Sequence, residues 1–447
     1  MSDDPALSTL PQSISTALRA AAESYRSRMV SLLSEVVAFR SVSGDEGACA
    51  RWFARHAAEL DVDMDIWELD SLALGTHRAF VSGSHEYAGR PNVVATRRGR
   101  GGGRRLILNG HTDVVPVDDA DKWVHDPWQA EVLGDRVYGR GTVDMKGGCV
   151  VALSCLELLQ KLDLDLAGDV AAHFVIDEEA TGNGTLAAVL RGHYGHDSAC
   201  IFLEPTGPGA LVAASRGAQY FRITVPGYEI ATEYQAEYPN AINEAATLIL
   251  AIEDFRVMRE ITAKHPLYGD EYQRAYARTR VPHAVCRVTA GAWPSTLPAS
   301  CVLEGTIECL PGEDIDEIFG TFRDYVLESA KRSTWLREHP PLVEPFGLRY
   351  EAGATDPNDP FVLLVADVAT DVAGARPAVV GGAGNDLRHV VLYGDSPAVV
   401  FGPSGSSFHA VDEWVSIDDL VRFLEISLRV AVAYCGAEIS PPKKDGP

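Results

Sequence analysis

RLILNG (105–110), VVALSCLELLQKL (150–162), DVAAHFVID (169–177), GTLAAVLR (184–191) and ACIFLE (199–204) follow one another along the chain. The first, third and fifth are short apolar runs of strand length, and the second and fourth are apolar runs of helix character. Alternation of this kind predicts an α/β fold with a mostly parallel sheet. Polar strings sit where the strands end: HTD (111–113), IDEEATGNGT (176–185) and FLEPTG (202–207), with GRGTVDMKGG (139–148) leading into the first helix. Open α/β sheets bind ligands at that end of their strands.

Upstream, Leu18, Ala21, Tyr25, Met29, Leu32 and Val36 recur at helical spacing and predict one helix over Ile14–Arg40, followed by another over Gly47–Leu60. Residues 1–13 and the tail SPPKKDGP (440–447) read as loosely held ends. Beyond Gly217 the rhythm changes. YFRITVPG (220–227) is a strand and NAINEAATLILAIEDF (240–255) a helix. HAVCRVTAG (283–291) and SCVLEGTIECL (300–310) are strands, and DIDEIFGTFRDYVLESA (314–330) is a helix. This β-α-β-β-α order predicts a smaller α+β domain inserted into the first. The Pro-rich EHPPLVEPFG (338–347) marks the return, and FVLLVADVATDVAG (361–374), SPAVVFGP (396–403) and a helix over Ile417–Cys435 complete the main domain. The expected division is therefore 1–216 with 341–447 for the main domain, and 217–340 for the insert.

At 447 residues the chain is long enough for two domains. Its 46% hydrophobic and 23% charged residues are ordinary for a soluble globular protein. A net charge of -24 argues against a nucleic-acid or anionic-membrane partner, because both require a basic face. The N-terminal MSDDPALSTLPQS lacks the basic and apolar regions of a signal peptide, and no apolar stretch is long enough to span a bilayer. Cys49, Cys149, Cys155, Cys200, Cys286, Cys301, Cys309 and Cys435 show no CxxC spacing, so they read as buried free thiols of a cytoplasmic protein.

The strings supply two imidazoles, His111 and His409 (in SSFHAVDEW, 406–414), and the carboxylates of Asp113, Asp144, Glu178, Glu179 and Glu204. Each has a plain structural explanation: a hydrogen-bonded histidine at a strand end, a solvated turn at Asp177–Glu179, a helix N-cap at Asp144. As a set they are what two divalent metals need when they share one carboxylate and activate a water, and they predict a metal-dependent hydrolase acting on a small molecule. His193 and His196 fall outside the pattern, and His125, His173 and His389 sit near its strings; all five read as structural or as supports that hold a ligand from behind.

The order HTD…GRGTVDMKGG…DEE…EPT…H resembles the M20 metallopeptidase family over roughly residues 30–436, and within it the acetylornithine deacetylase and succinyl-diaminopimelate desuccinylase type of deacylase. AGAWPSTLPASCVLEGTIECLPGED (290–314) is similar to inserted-domain strands of that group. The resemblance implies a catalytic domain of zinc-exopeptidase type. It makes His111, Asp144 and Glu204 ligands of one metal, and Asp144, Glu179 and His409 ligands of the other, with Asp144 bridging. Zinc suits such mixed ligation, and cobalt or manganese can substitute. Glu178 becomes the general base and Asp113 the partner that holds His111, while a cis peptide is expected at Asp144–Met145. Arg216 and Arg388 match positions near substrate; each is either a binder of a substrate carboxylate or a salt bridge between loops. Gly381, Gly382 and Gly384 would let backbone approach substrate, and Asn240 either contacts substrate or starts the inserted helix.

Two departures stand out. The family carries a histidine in the inserted domain that supplies an oxyanion donor across a dimer, and counting from Gly227 or back from Asn240 places Ala231 there. Tyr228, Tyr234 and Tyr238 are the nearby hydroxyl donors. Glu308 stands where some members put a carboxylate-binding arginine. The expected activity is removal of an acyl group from an N-acyl amino acid or related metabolite. The alternatives are a dipeptidase or carboxypeptidase of the same family, or a metal-binding biosynthetic member whose hydrolysis is weakened by Ala231. A homodimer through the inserted domain is expected.

Overall fold

The computed structural model describes residues 10–83, 86–118 and 120–437. The expected loose ends at residues 1–9 and 440–447 lie outside that range, whereas residues 12 and 13 already belong to a helix. The chain divides into two compact units. Among the described residues, one runs up to Ala213 and resumes over Thr355–Val380 and from His389, and the other comprises Ala214–Ala354 and Gly381–Arg388.

The first unit opens with helices α1 (Gln12–Ser24), α2 (Arg26–Val37) and α3 (Gly47–Ala57). The single helix expected from the periodicity is broken at Tyr25, whose N–H reaches back only to Ala22. The periodicity survives because both segments lay Leu18, Met29, Leu32 and Val36 into one core. Strands β1 (Asp63–Glu68), β2 (Pro91–Arg97) and β3 (Arg105–His111) follow, then α4 (Gly147–Lys161), β4 (Val170–Val175), α5 (Asn183–Leu190), β5 (Ser198–Phe202) and β6 (Ala210–Ser215). After the insert come α8 (Pro360–Ala373), β11 (Ala398–Val400) and α9 (Ile417–Cys435).

The sheet order is β1-β2-β4-β3-β5-β11-β6. The central strands β4, β3, β5 and β11 are parallel. The flanking β1, β2 and β6 pair antiparallel. Every residue of β4 and β5 is buried, which is why these strands read as unbroken apolar runs without alternation. Helix α4 is buried around nearly its whole circumference up to Leu159, which is why it reads as an almost unbroken apolar run. At Gly148 a Cβ would lie 2.2 Å from the Leu203 carbonyl oxygen, so only glycine lets α4 come this close to the chain leaving β5.

The second unit contains β7 (Gly217–Pro226), α6 (Ala241–Thr262), β8 (His283–Ala290), β9 (Ser300–Cys309), α7 (Ile315–Ala330) and β10 (Leu342–Tyr350), with sheet order β8-β9-β7-β10. On β9, Cys301, Leu303, Ile307 and Cys309 face a core shared with α6 and α7, while Val302, Glu304, Thr306 and Glu308 alternate outward. The stretch read as a Pro-rich return is in fact the fourth strand, and the chain leaves this unit only after Ala354. Pro345 is tolerated because β10 is an edge strand, where a missing N–H breaks no ladder. The eight cysteines are free, but Cys286, on edge strand β8, is exposed rather than buried.

His283 is 1% exposed, with its Nδ1 3.0 Å from the Val281 carbonyl and its ring 5.3 Å from Phe255. Burial pushes its pKa from 6.5 down to about 4. Above pH 6.5 both folded and unfolded chains hold it neutral; below that, the unfolded chain takes up a proton that the folded one refuses. Stability is therefore expected to fall between pH 6.5 and 4, by about 3 kcal/mol from this residue. Denaturant titrations at pH 7.5 and 4.5 should show His283→Phe losing about 2–3 kcal/mol less than the wild type. Equal losses would show that the histidine is not protonated on unfolding.

Candidate metal centre

Parallel neighbours bring three distant strings together. His111 closes β3 opposite Val175 of β4, and Asn109 lies opposite Phe202 of β5. The chain leaving β4 delivers Asp177, Glu178 and Glu179, and the chain leaving β5 delivers Glu204. Asp144 sits in the turn Thr142–Lys146 that feeds α4, and its peptide bond to Met145 is cis. His409 lies in a loop with left-handed backbone at Ser407, His409 and Asp412. Small strands Gly405–Ser406, Trp414–Ser416, Arg136–Tyr138 and Glu131–Leu133 support that loop.

Two donor groups result, His111–Asp144–Glu204 and Asp144–Glu179–His409, each with one ligand atom per residue, all within 4.8 Å of one another. His111 Nε2 is 3.2 Å from Asp144 Oδ1 and 3.7 Å from Glu204 Oε1. His409 Nε2 is 3.3 Å from Asp144 Oδ2 and 3.0 Å from Glu179 Oε2. Asp144 belongs to both groups and turns one oxygen to each imidazole.

The electrostatics reveal a shortage of positive charge. Burial and the nearby Asp144 charge push Glu179 up to about 7, and the same two causes, partly offset by His111, hold Glu204 well above its usual range. Hydrogen bonds from His111 and His409 outweigh burial at Asp144 and keep it below its usual range. His409 is raised to about 10 by its bonds to Asp144 and Glu179. Burial alone would lower His111, yet Glu204 and Asp144 carry it well above 6.5. Three clustered carboxylates with two imidazoles are a donor set that suits divalent cations, one per group.

Asp113 is fully buried, and its contacts differ in part from the expected one. His111 Nδ1 is 2.9 Å from the Asp113 backbone carbonyl and 3.6 Å from its carboxylate. The carboxylate instead accepts from Glu178 N at 3.2 Å, Glu179 N at 3.1 Å and Ser43 Oγ at 2.9 Å. One side chain thus couples the imidazole string to the di-glutamate turn. Glu178 is half-buried and close enough for its charge to raise both His111 and Glu204.

Sequence reading missed three supports. Glu413 Oε1 accepts from the N–H groups of Val143 and Asp144 at 3.1 and 3.2 Å, and its other oxygen pairs with Arg140 Nη1 at 2.6 Å. Lys146, fully buried, donates to the Val36 and Phe39 carbonyls and ties the end of α2 to the Asp144 turn. Ser43 is the third. Glu413 and Arg140 both lie inside the motif strings, and a charged residue within four positions of a candidate donor was the available signal.

The remaining candidates lie in the second unit. Arg216 Nε pairs with Glu308 Oε2 at 2.5 Å, and its Nη1 bonds the Tyr272 hydroxyl at 2.6 Å. The Arg388 guanidinium lies 4.5 Å from the Tyr350 ring centroid and donates to the Asn385 carbonyl at 2.7 Å. Asn240 Oδ1 accepts from Ile242 N at 3.0 Å and caps α6. Ala231 is exposed in a two-residue strand paired with Thr296.

An α/β sheet with two carboxylate–imidazole groups at its strand ends defines a class, the metallopeptidase-type hydrolases of amide bonds. The chain belongs to peptidase family M20/M25/M40, whose model matches residues 107–433. It is 24% identical over 442 residues to N-formyl-4-amino-5-aminomethyl-2-methylpyrimidine deformylase of Bacillus subtilis (strain 168), covering 92% of this chain and 96% of that one. It is 30% identical over 359 residues to succinyl-diaminopimelate desuccinylase of Methylobacterium sp. (strain 4-46), covering 75% and 82%. Among solved structures, a dinuclear metal-binding M20 peptidase from Bacillus subtilis superposes with a TM-score of 0.62 at 15% identity, covering 92% of this chain and 98% of that one.

Proposed function

We propose that this protein is a two-metal amide hydrolase that removes a small acyl group from the nitrogen of a metabolite. The observation that carries this reading is one carboxylate, Asp144, shared by two imidazole-containing donor groups, with Glu178 in the same turn as the donor Glu179. His111, Asp144 and Glu204 would hold one cation and Asp144, Glu179 and His409 the other. Zinc is the metal best suited to this ligation, with cobalt or manganese as substitutes. Bound there, the cations would supply Lewis acidity that makes water a nucleophile near neutral pH and polarises the amide carbonyl. Glu178 takes the proton from the attacking water and delivers it to the leaving amine. Asp113 holds the Glu178 and Glu179 backbone in register with His111 while this happens.

The named activities of the two relatives, a deformylase and a desuccinylase, support acyl–nitrogen cleavage. The Arg216–Glu308 pair supports a substrate with no carboxylate for that arginine, because the guanidinium is already neutralised. Free cysteines throughout support a reducing cytoplasm. The test is a panel of N-formyl, N-acetyl and N-succinyl amines with dipeptides, read as release of free amine. Neutral short acyl groups should be cleaved fastest, a chelator should abolish cleavage, and added Zn2+ should restore it. Cleavage of dipeptides alone would make it a peptidase of the same family. No cleavage by metal-loaded protein would sink the hydrolase reading.

The second unit is proposed to form a homodimer. On α6, Leu250, Val257 and Ile261 are 68%, 43% and 65% exposed and share one face, and among the described residues β8 is an outer strand of its sheet. Leu250→Glu with Ile261→Glu should convert a dimer to a monomer in light scattering with circular dichroism unchanged. A monomeric wild type at tens of micromolar would refute the dimer.

A further inference from the structure

Two buried arginines lie behind the donor groups without touching them. Arg90 is one. Its Nε and Nη2 make a fork on Glu46, at 2.5 and 2.6 Å, and Nη2 also reaches Asp177 Oδ1 at 3.2 Å. The side chains of Arg90, Glu46 and Asp177 are 4%, 0% and 2% exposed. Nη1 donates to the Glu86 carbonyl at 3.0 Å, which fixes the remaining end of the fork.

Asp177 is the residue immediately before Glu178 and Glu179, and it holds a left-handed backbone with φ at 68°. A non-glycine residue keeps that conformation only where its surroundings over-determine it. Here they do. One carboxylate oxygen is taken by Arg90, and the other accepts from the Tyr87 hydroxyl at 3.1 Å and from the Thr181 hydroxyl. The Asp177 carbonyl accepts from Thr181 N and Gly182 N at 3.0 and 2.8 Å. The left-handed turn sets the direction in which the chain presents Glu178 and Glu179. Without the guanidinium, two buried carboxylates face each other with no cation between them, and the turn loses its main anchor.

Arg140 is the other. Through Glu413 it holds the N–H groups of Val143 and Asp144, so it anchors the carboxylate common to both groups.

We propose that Arg90 is a positioning residue for the Asp144–Glu179–His409 group alone, whereas Arg140 positions both groups through their shared Asp144. This rests on the two-cation reading above.

The test is Co2+ titration of the metal-free full chain, followed by calorimetry and by visible absorption of the bound ion. Wild type should show two binding events. His409→Ala should remove one event and Glu204→Ala the other, which assigns them. Arg90→Met should weaken the event assigned to His409 by about ten- to a hundredfold, the usual effect of removing a ligand's support, and change the other by less than about threefold. Arg140→Met should weaken both. Arg90→Lys keeps the charge but not the fork, so it should recover thermal stability while its His409 event stays weak. It carries the test if the methionine variant does not fold. Equal weakening of both events by the Arg90 variants, or of neither, would overturn the proposal, as would an Arg140 variant that spares the His111 event. A wild type that takes up fewer than two Co2+ ions would overturn the two-cation reading itself, and this inference with it.

Discussion

Glu178→Gln is expected to lower kcat by about 10²–10⁴-fold, the usual contribution of a positioned general base, while leaving metal stoichiometry intact. The substitution keeps shape and volume, so the turn after β4 and its bonds to Asp113 should persist, because they use the Glu178 and Glu179 backbone N–H groups. What disappears is a group able to accept a proton and return it. An amide does neither at neutral pH. The measurement is single-turnover release of amine by the fully loaded variant, with bound metal counted alongside. A variant that keeps more than about a tenth of the rate, or one that loses its metal, would remove Glu178 from the role of base. KM should move little, since the residue acts on the water and the leaving group.

Asp144→Asn is the second large expectation. Its two oxygens face two different imidazoles, at 3.2 and 3.3 Å, and it is the only residue common to both donor groups. Asparagine keeps the size but offers one neutral oxygen in place of two anionic ones. Both cations should therefore weaken by at least about a hundredfold, beyond what loss of a supporting hydrogen bond costs, and activity should vanish at ordinary metal concentrations. His409→Ala is the contrast, because it should leave the His111 group able to bind. Equilibrium dialysis of each variant measures this. An Asn variant that retains one tight cation would show that Asp144 does not bridge.

The helices and central strands were legible because each is periodic or uniformly apolar over its full length. The fourth strand of the inserted unit was not, because Pro345 suggests a loop until the strand is known to lie at an edge. Strand β1 was missed for a related reason. Its antiparallel pairing at the sheet margin leaves DMDIWE partly exposed, and its mixed pattern has neither the apolar run of a central strand nor clean alternation.

For the site, local strings name donors but not their companions. Glu413 and Arg90 are ordinary charged residues in sequence. Only folding removes them from water, and a buried charge must then find a partner. Arg216 shows the converse. Sequence left it between binding a substrate carboxylate and tying loops together, and its 2.5 Å contact with Glu308 is a tertiary fact.

The sequence by itself determined the class of fold, the order of its central strands and main helices along the chain, and the side chains that supply the candidate metal centre. Those features depend on local periodicity and on residue chemistry, and both are present in an unfolded chain. Tertiary structure decided that Asp144 faces both imidazoles, that Asp113 grips the di-glutamate turn, and that buried arginines anchor the turns behind the donor groups. These are consequences of parallel strand register and of desolvation, and neither exists until segments more than thirty residues apart pack together.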